Sequence, residues 1–383
     1  MQFEMIKGRR ALTIVFLGVI LFAVGASVLL EQGRRTVANE PSGRLTDPAA
    51  INQYIRERFD IPQNVKITST LVRPAPFPGF YETEVTTNDG KKTKTVSVFI
   101  TRDARCLVVG RLFQLAGSSE ADVALGLRQA ANIAPAVQLT MGSFEPSIYP
   151  GLRVAKFTVQ LGAKNQSSEV YVTDDFKTGV VGAVLPFRPD FVEELIKTKG
   201  SPSVGPANAR VTVVEYADLQ CPGCAMFQKF LHDQFLPEYG GRVRVVFKEF
   251  PLQIPAHDWS APAAVANECA YQIQPSAFAN YRNLIFTNQT KINAKNVRAR
   301  LLSLGHAAGV NSTKLAACID SKASQLRIDA DRREGQKLGV TETPTIFVNG
   351  RVLVGARTDD FQKMVDEALA ASMQRTASAA ANR

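Results

Sequence analysis

The sequence predicts a multidomain protein of mixed α+β and α/β class, with an N-terminal transmembrane helix, two tandem small α+β modules and a C-terminal α/β domain that has a helical insertion. Three observations predict it. An apolar run of 20 residues lies near the N-terminus, the middle of the chain matches itself at an offset of 72 residues, and a strand leads into Cys-Pro-Gly-Cys at the start of a helix. The 383 residues suit two or three domains at ~150 residues each.

Composition excludes several classes of protein. Hydrophobic residues make up 45% and charged residues 21% of the chain, which is ordinary for globular domains and excludes disordered or collagen-like chains. The net charge of +10 is spread along the chain without a basic run, so we expect no nucleic-acid partner. Five cysteines and three histidines do not suit a small disulfide scaffold or a histidine-rich metal enzyme, and we predict neither a metal nor a cofactor.

The N-terminus is predicted to anchor the chain in a membrane. Residues 1–10 would form a cytoplasmic tail, and the uncharged, mostly apolar residues 11–30 match the ~20 residues that span a bilayer as a helix. A cleaved signal peptide is the alternative, but its apolar region is usually shorter, ~7–15 residues. Residues 31–46 read as a linker. The predicted location is therefore the inner membrane, single-pass, with the C-terminal domains facing the periplasm or exterior.

Two copies of one module are predicted to follow, at 47–116 and 117–190. Residues 55–115 align with 127–187 without a gap, and 16 of 61 positions are identical against roughly four expected by chance. Each copy starts with a helical pattern and continues with alternating segments, so each predicts a helix against an antiparallel sheet of about four strands. Cys106 is predicted to be a buried core thiol, because its counterpart is Thr178. The modules suit spacers, dimerisation surfaces or substrate-binding walls.

The C-terminal domain, predicted at 208–372 after a linker at 191–207, carries the chemistry. The strand 211–216 and a short loop lead to Cys221-Pro222-Gly223-Cys224 at the mouth of a helix. Helix-end potential and free backbone N–H groups stabilise a thiolate at Cys221. Cys224 lies one turn later and can close a reversible disulfide with it. Half of a zinc site is the alternative, but it needs a second close pair of ligands, which the remaining cysteines and histidines do not form.

The rest of this domain completes a recognisable order. A second strand at 243–250 precedes a mostly helical stretch at 260–338. Thr343-Pro344 then stands before a strand, the Asn349-Gly350 turn and another strand, which predicts a hairpin. A closing helix is predicted at 358–371, and residues 373–383 are predicted to be a disordered tail.

From about 201 to 371 the chain resembles the DsbA-like branch of the thioredoxin superfamily. The strand–CPGC–helix unit, the helical insertion and Thr-Pro before a hairpin carry the resemblance. It implies a thioredoxin fold with a helical insertion, Cys221 as nucleophile and Cys224 as resolving thiol. It also implies a cis Thr343–Pro344 bond beside the disulfide and pairing of the Thr343 backbone with an extended substrate. Thr343, Pro344, Pro222 and Gly223 would line the substrate site.

The resemblance implies further residue roles. Glu215 occupies the place of a buried acid under the active site, and Lys248 on the next strand would pair with it and help to relay protons to Cys224. Cys269 and Cys318 in the helical insertion would form a structural disulfide, with two buried free thiols as the alternative. His257 is predicted to be a capping or core histidine.

The modules resemble, over 78–112, the N-terminal dimerisation module of DsbC-type disulfide isomerases. This resemblance implies a possible homodimer, although two modules stand here where that family has one. The Pro222-Gly223 dipeptide departs from the Pro-His of the oxidase type and brings no imidazolium, so a depressed Cys221 pKa but a milder oxidant is expected.

The predicted function is that of a membrane-anchored, extracytoplasmic thiol–disulfide oxidoreductase acting on cysteine-containing exported proteins. Oxidase, isomerase and reductase directions stay open. The predicted redox partner is accordingly a quinone-linked membrane oxidase or a thiol-transferring membrane reductase. The alternative from another class is a client-binding chaperone or envelope scaffold whose thioredoxin domain is redox-idle.

Overall fold

The computed structural model describes residues 47–381 except Ala163 and Lys322. The chain divides into two compact units, with the division between Arg188 and Pro189. Each unit has its own sheet. Each predicted module is therefore part of one larger unit, and not a unit by itself.

The fold class needs a correction at the N-terminal end. Residues 11–30, for which a transmembrane helix was predicted, lie outside the described residues. Within the described part of the chain, no helix combines the length and the apolar character that crossing a bilayer requires. In the described residues the fold class is mixed α/β with a thioredoxin-like sheet. The predicted single-pass inner-membrane location is corrected accordingly, because none of the described helices could anchor the chain in a bilayer.

The first unit builds each of its halves from one helix and five strands in the same order. The elements are α1 (Pro48–Arg58), β1 (Lys66–Ser69), β2 (Arg73–Pro74), β3 (Phe80–Asn88), β4 (Thr93–Thr101), β5 (Cys106–Gln114), α2 (Glu120–Ala131), β6 (Leu139–Met141), β7 (Glu145–Pro146), β8 (Leu152–Leu161), β9 (Lys164–Thr173) and β10 (Thr178–Pro186). Capping side chains begin both helices, Asp47 for α1 and the Ser119–Asp122 capping box for α2. That the two halves are copies of one module stays a prediction from the sequence.

One antiparallel sheet of ten strands joins the two halves, in place of the separate sheet predicted for each. Its order is β1-β3-β4-β5-β10-β9-β8-β6, with β2 beside β3 and β7 beside β8. Strands β5 and β10 join the halves along nine residue pairs, and Gly110 lies opposite Gly182 in this register. A Cβ atom on Gly110 would lie 2.3 Å from the carbonyl oxygen of Val181. The close approach of the two strands therefore requires glycine there.

The second unit is a five-stranded sheet with helices around it. Its elements are α3 (Pro189–Leu195), β11 (Ser203–Val204), β12 (Val211–Ala217), α4 (Pro222–Phe230), a π-helical turn (Leu231–Phe235), α5 (Leu236–Tyr239), β13 (Val243–Glu249), α6 (Ser260–Ile273), α7 (Phe278–Thr287), α8 (Val297–Ala307), α9 (Ser312–Ser321), α10 (Gln325–Lys337), β14 (Thr345–Val348), β15 (Arg351–Val354) and α11 (Thr358–Ala381), with single 3₁₀ turns at Pro275–Ala277 and Gln289–Lys291.

The sheet of the second unit has the order β11-β13-β12-β14-β15. Strands β12 and β13 are parallel and the other pairs are antiparallel. One apolar core holds α4 and α11 against this sheet, centred on Phe361 and Phe227. A second core fills the helical insertion. The active-site cysteines Cys221 and Cys224 belong to the second core.

Two boundary predictions are wrong in this unit. The predicted linker 191–207 contains most of α3 and all of β11, and β11 pairs with β13 at the edge of the sheet. The predicted disordered tail at 373–383 is helical as far as Ala381, because α11 continues beyond residue 371. The alanine-rich sequence there has high intrinsic helix propensity.

Candidate active site

The Cys-Pro-Gly-Cys segment begins α4, directly after the central strand β12 and a three-residue loop. Cys221 is the N-cap residue of the helix, and Pro222 occupies its first turn, where the missing N–H costs nothing. Ala225 N donates to the Cys221 carbonyl at 3.1 Å, which closes the first turn. Both cysteines are free thiols in the structure. The segment therefore places the sulfur of Cys221 at the positive end of the helix.

The pKa values of the two thiols are shifted in opposite directions. The pKa of Cys221 is lowered to about 6, chiefly by a hydrogen bond from the Cys224 thiol, with help from the Thr343 side chain and the backbone N–H groups of Cys224 and Gly223. The pKa of Cys224 is raised well above its ordinary value, first by burial and then by its hydrogen bond to Cys221. Cys221 is 9% exposed and Cys224 is fully buried. The pair thus combines a thiolate near neutral pH with a protonated partner.

Thr343 and Pro344 lie beside Cys221, and the peptide bond between them is cis. The Cys221 thiol donates to the carbonyl oxygen of Thr343 at 3.3 Å. Gly223 faces the same segment, because a Cβ atom there would lie 3.4 Å from Pro344 Cδ and 3.7 Å from Cys221 Sγ. The sequence-predicted residues around the thiols are therefore neighbours in space.

Glu215 is fully buried, but its partner is not the predicted Lys248. Its Oε2 accepts a hydrogen bond from Arg282 Nη2 at 3.0 Å. In the parallel register of β12 and β13, Glu215 lies opposite Phe247 while Lys248 lies opposite Tyr216. Since successive side chains of a strand point to opposite faces, the offset of one residue puts Lys248 on the other face of the sheet from Glu215.

Lys248 takes part in a separate buried network on that other face. Its Nζ lies 2.8 Å from Asp331 Oδ1 and 3.0 Å from Glu334 Oε1. The Tyr216 hydroxyl donates to the same Glu334 oxygen at 2.6 Å. These contacts tie the sheet to α10. They give Lys248 a structural role, and the predicted Glu215–Lys248 pair is corrected.

Arg282 joins two buried carboxyl groups under the cysteines' side of the sheet. Its Nη1 donates to Glu249 Oε1 at 3.1 Å, and its guanidinium packs over the Phe247 ring. Burial raises the pKa of Glu215, and Arg282 opposes that shift. Burial likewise raises the pKa of Glu249 to about 8 against the same cation. One guanidinium thus serves two carboxyls, and burial raises the pKa of both against its charge.

Several residues around the cysteines had not been predicted from the sequence. Gln289 Nε2 donates to the carbonyl oxygens of Leu219 and Cys221, at 2.7 and 3.1 Å. Arg282 was detectable in principle, since it interrupts the apolar stripe of α7, which otherwise buries residues such as Phe278 and Ile285. An arginine on a buried helical stripe indicates an acidic partner in the core.

The remaining three cysteines lie away from the Cys-Pro-Gly-Cys segment in sequence, two of them in a disulfide and one as a buried thiol. Cys269 of α6 and Cys318 of α9 form a disulfide within the helical insertion. Cys106 is buried in β5 of the first unit, and burial raises the pKa of its thiol. A buried thiol with a raised pKa is a poor nucleophile.

Comparisons with known proteins found a match in each of the two units. Residues 197–367 match a family model described as Thioredoxin, and residues 43–124 match one described as Disulfide bond isomerase protein N-terminal domain. The chain is 25% identical over 174 residues to Disulfide bond formation protein D of Bacillus subtilis, covering 45% of this chain and 78% of that protein. It is 26% identical over 221 residues to a putative protein-disulfide oxidoreductase of Rickettsia prowazekii, covering 56% and 76%.

A solved structure and a second group of relatives also match part of this chain. The crystal structure of oxidised BdbD from Bacillus subtilis superposes with a TM-score of 0.42 at 25% identity, covering 45% of this chain and 95% of that one. Several curated relatives are Na(+)/H(+) antiporters, and this chain spans about a quarter of their length.

Proposed function

We propose, from the premise that this chain carries a DsbA-like thiol:disulfide oxidoreductase domain of the thioredoxin superfamily, that its Cys221–Cys224 pair exchanges disulfides with the cysteines of exported proteins. The observation that carries the proposal is the contrast between the two thiols. Cys221 has a depressed pKa at a helix N-terminus, and Cys224 is buried beside it with a raised pKa. Such a pair suits a nucleophile and a resolving thiol.

The exchange balances without a cofactor. In the oxidising direction, a client thiolate attacks Sγ of Cys221 in the enzyme disulfide, a client–Cys221 bond forms, and Cys224 leaves as a thiolate and takes up a proton. A second client thiolate then attacks the client sulfur of the mixed disulfide, and Cys221 leaves. The client gains the disulfide and the enzyme becomes a dithiol. A thiol of low pKa is the better leaving group, so the lowered pKa of Cys221 favours this last step.

Cys224 needs a proton acceptor when it resolves a mixed disulfide in the reducing direction, and we assign that role to Glu215. Its carboxyl interacts electrostatically with the buried Cys224 thiol. Because burial raises the pKa of Glu215, this carboxyl can take up a proton closer to neutral pH than an exposed glutamate. Arg282 holds it in place at 3.0 Å.

The client segment is proposed to lie against Thr343 and Pro344, with Pro222 and Gly223 on the other side of the reacting sulfur. The Thr343 carbonyl is already within 3.3 Å of Cys221 Sγ, and an extended client can pair with this backbone as an added strand. Backbone pairing is tolerant of sequence, which suits an enzyme with many clients. Gly223 keeps the approach to Cys221 free of a side chain.

The experiment traps the intermediate and then determines its direction. Cys224→Ser is expected to accumulate a mixed disulfide with scrambled, disulfide-bonded ribonuclease, because Cys221 attacks a client disulfide, a client thiolate leaves, and no resolving thiol remains to release Cys221. Cys221→Ser is expected to form none. Cys106→Ala serves as the matched control, since it removes a buried cysteine away from the site, and should behave like the wild type. Oxidation of reduced ribonuclease identifies an oxidase, and recovery of scrambled ribonuclease identifies an isomerase.

The proposal fails if the wild-type chain neither forms mixed disulfides nor changes the disulfides of either ribonuclease form. In that case, suppression of client aggregation by the wild type and by Cys221→Ala equally would identify a chaperone with an idle thioredoxin domain. The reduction potential of the Cys221–Cys224 pair, measured against glutathione, would place an active enzyme on the oxidising or the reducing side.

A further inference from the structure

Asp218 links both cysteines to a histidine outside the Cys-Pro-Gly-Cys segment. Its side chain is fully buried, and Oδ2 accepts hydrogen bonds from His257 Nδ1 at 2.7 Å and from Leu252 N at 2.8 Å. Its backbone carbonyl accepts from Cys221 N at 3.0 Å, and its backbone N–H donates to the sulfur of Cys224. One residue therefore contacts the nucleophile's backbone, the resolving sulfur and an imidazole.

A second residue ties the same two loops together. We call residues 218–221 the cysteine loop and residues 251–259 the facing loop. Gln220 Nε2 donates to the carbonyl oxygen of Ala256 at 3.0 Å and to Asp258 Oδ1 at 3.2 Å. Its Oε1 accepts from Trp259 N at 2.9 Å. The facing loop therefore holds its place even if the contact between Asp218 and His257 changes.

The His257 imidazole can keep its hydrogen bond to Asp218 while its charge changes. His257 donates from Nδ1 to a carboxylate, which it can do both as the neutral ring and as the imidazolium. Its side chain is 12% exposed, so a proton can reach the ring from solvent. Protonation therefore changes the charge next to Asp218 without removing the hydrogen bond. Asp218 of the cysteine loop contacts this ring, whereas Asp258, the next residue along the chain, accepts a hydrogen bond from Gln220 Nε2.

We propose that His257 is a positioning residue that tunes the Cys221 thiolate through Asp218. When His257 is protonated, it neutralises the buried carboxylate three residues before Cys221. When it is neutral, the charge of Asp218 stands alone and opposes the thiolate. Pro222 and Gly223 bring no ionisable group between the cysteines, so this pair supplies charge control from outside the segment. The inference rests on the proposed function, because it concerns the reactivity of the same thiol.

The test compares His257→Asn with His257→Leu in the full chain. Asparagine keeps an N–H donor near the position of Nδ1 and cannot carry charge, whereas leucine removes both. The readout is the thiolate absorbance near 240 nm as a function of pH, with Cys221→Ser as the blank. His257→Asn is expected to raise the midpoint for Cys221 by roughly half a pH unit, which is about a threefold fall in the ratio of thiolate to thiol at any given pH.

The matched control is His232→Asn. His232 also pairs with an aspartate, Asp233, at 2.8 Å, but that pair is exposed and lies in the π-helical turn after α4. This variant should titrate like the wild type. Urea unfolding followed by the fluorescence of Trp259, the single tryptophan, should show equal stability for His257→Asn and the wild type.

The inference is overturned if His257→Asn titrates like the wild type, whether or not His257→Leu differs. A difference confined to His257→Leu would show a loop tie without charge control. If His257→Leu does not fold, His257→Asn alone decides. Because the thiolate titration needs no client, a shifted midpoint without disulfide exchange would defeat the proposed function and leave this inference standing.

Discussion

Replacing Arg282 by methionine should destabilise the C-terminal unit strongly, and more at alkaline than at acidic pH. The guanidinium is fully buried and donates to Glu215, Glu249 and Gln228 at 3.0, 3.1 and 3.3 Å. Methionine fills most of the volume, so the main effect is the loss of the cation. Removing one partner of a buried ion pair costs about 3–5 kcal/mol, and this value is expected near pH 8.

The pH dependence follows from the raised pKa values of the two carboxyls. Burial raises the pKa of Glu249 to about 8 and also raises that of Glu215. A carboxyl whose pKa is higher in the folded than in the unfolded protein stabilises the fold at pH values below its unfolded pKa. This stabilisation is lost as the pH rises through its folded pKa. Without Arg282, which lowers both pKa values, they rise further, so the two carboxyls carry less charge at pH 5 than at pH 8. The loss should therefore be smaller at pH 5 than at pH 8, by ~1.4 kcal/mol for each unit by which the substitution raises a carboxyl pKa.

Urea unfolding at pH 5 and pH 8, followed by the fluorescence of buried Trp259, measures both values. Arg298→Met is the matched control, because it removes an arginine from the exposed pair with Asp320, in which both side chains are more than half exposed. The control should lose far less stability than Arg282→Met. Equal losses for the two variants, or a loss by Arg282→Met that does not change with pH, would refute the account of the buried cluster.

Two further predictions concern the cross-link and the sheet. Replacing both Cys269 and Cys318 by alanine should lower the free energy of unfolding by about 4 kcal/mol in the chain-entropy relation, because the disulfide closes a separation of 49 residues. Urea unfolding measures this loss, and an unchanged midpoint would contradict the prediction. Gly110→Ala should destabilise the first unit by ~1–3 kcal/mol, because the new Cβ atom would clash with β10. Gly142→Ala is the control and should leave stability unchanged, because the nearest atom to its Cβ would lie at 3.5 Å. Thermal melting followed by circular dichroism compares the two variants.

The chemistry-bearing motifs were accessible from the sequence because they depend on local signals. A cysteine at a helix N-cap, proline in the first turn and Thr-Pro before a hairpin act over a few residues each. The resemblance to the DsbA-like branch and to the DsbC-type module rested on such motifs, and the comparisons confirm both resemblances. The transmembrane helix was predicted from the apolar pattern at 11–30, which lies outside the described residues, and none of the described helices is long and apolar enough to cross a bilayer.

By itself, then, the sequence determined the order of elements, the Cys221–Cys224 pair and the segment that meets it. Only the tertiary structure decided which charges meet in the core. Glu215 pairs with Arg282 from an insertion helix 67 residues later, and Lys248 faces away because the register of two parallel strands offsets it by one position. Asp218 finds His257 in the same way. Strand register and helix packing choose such partners, and no local pattern encodes which buried faces will meet.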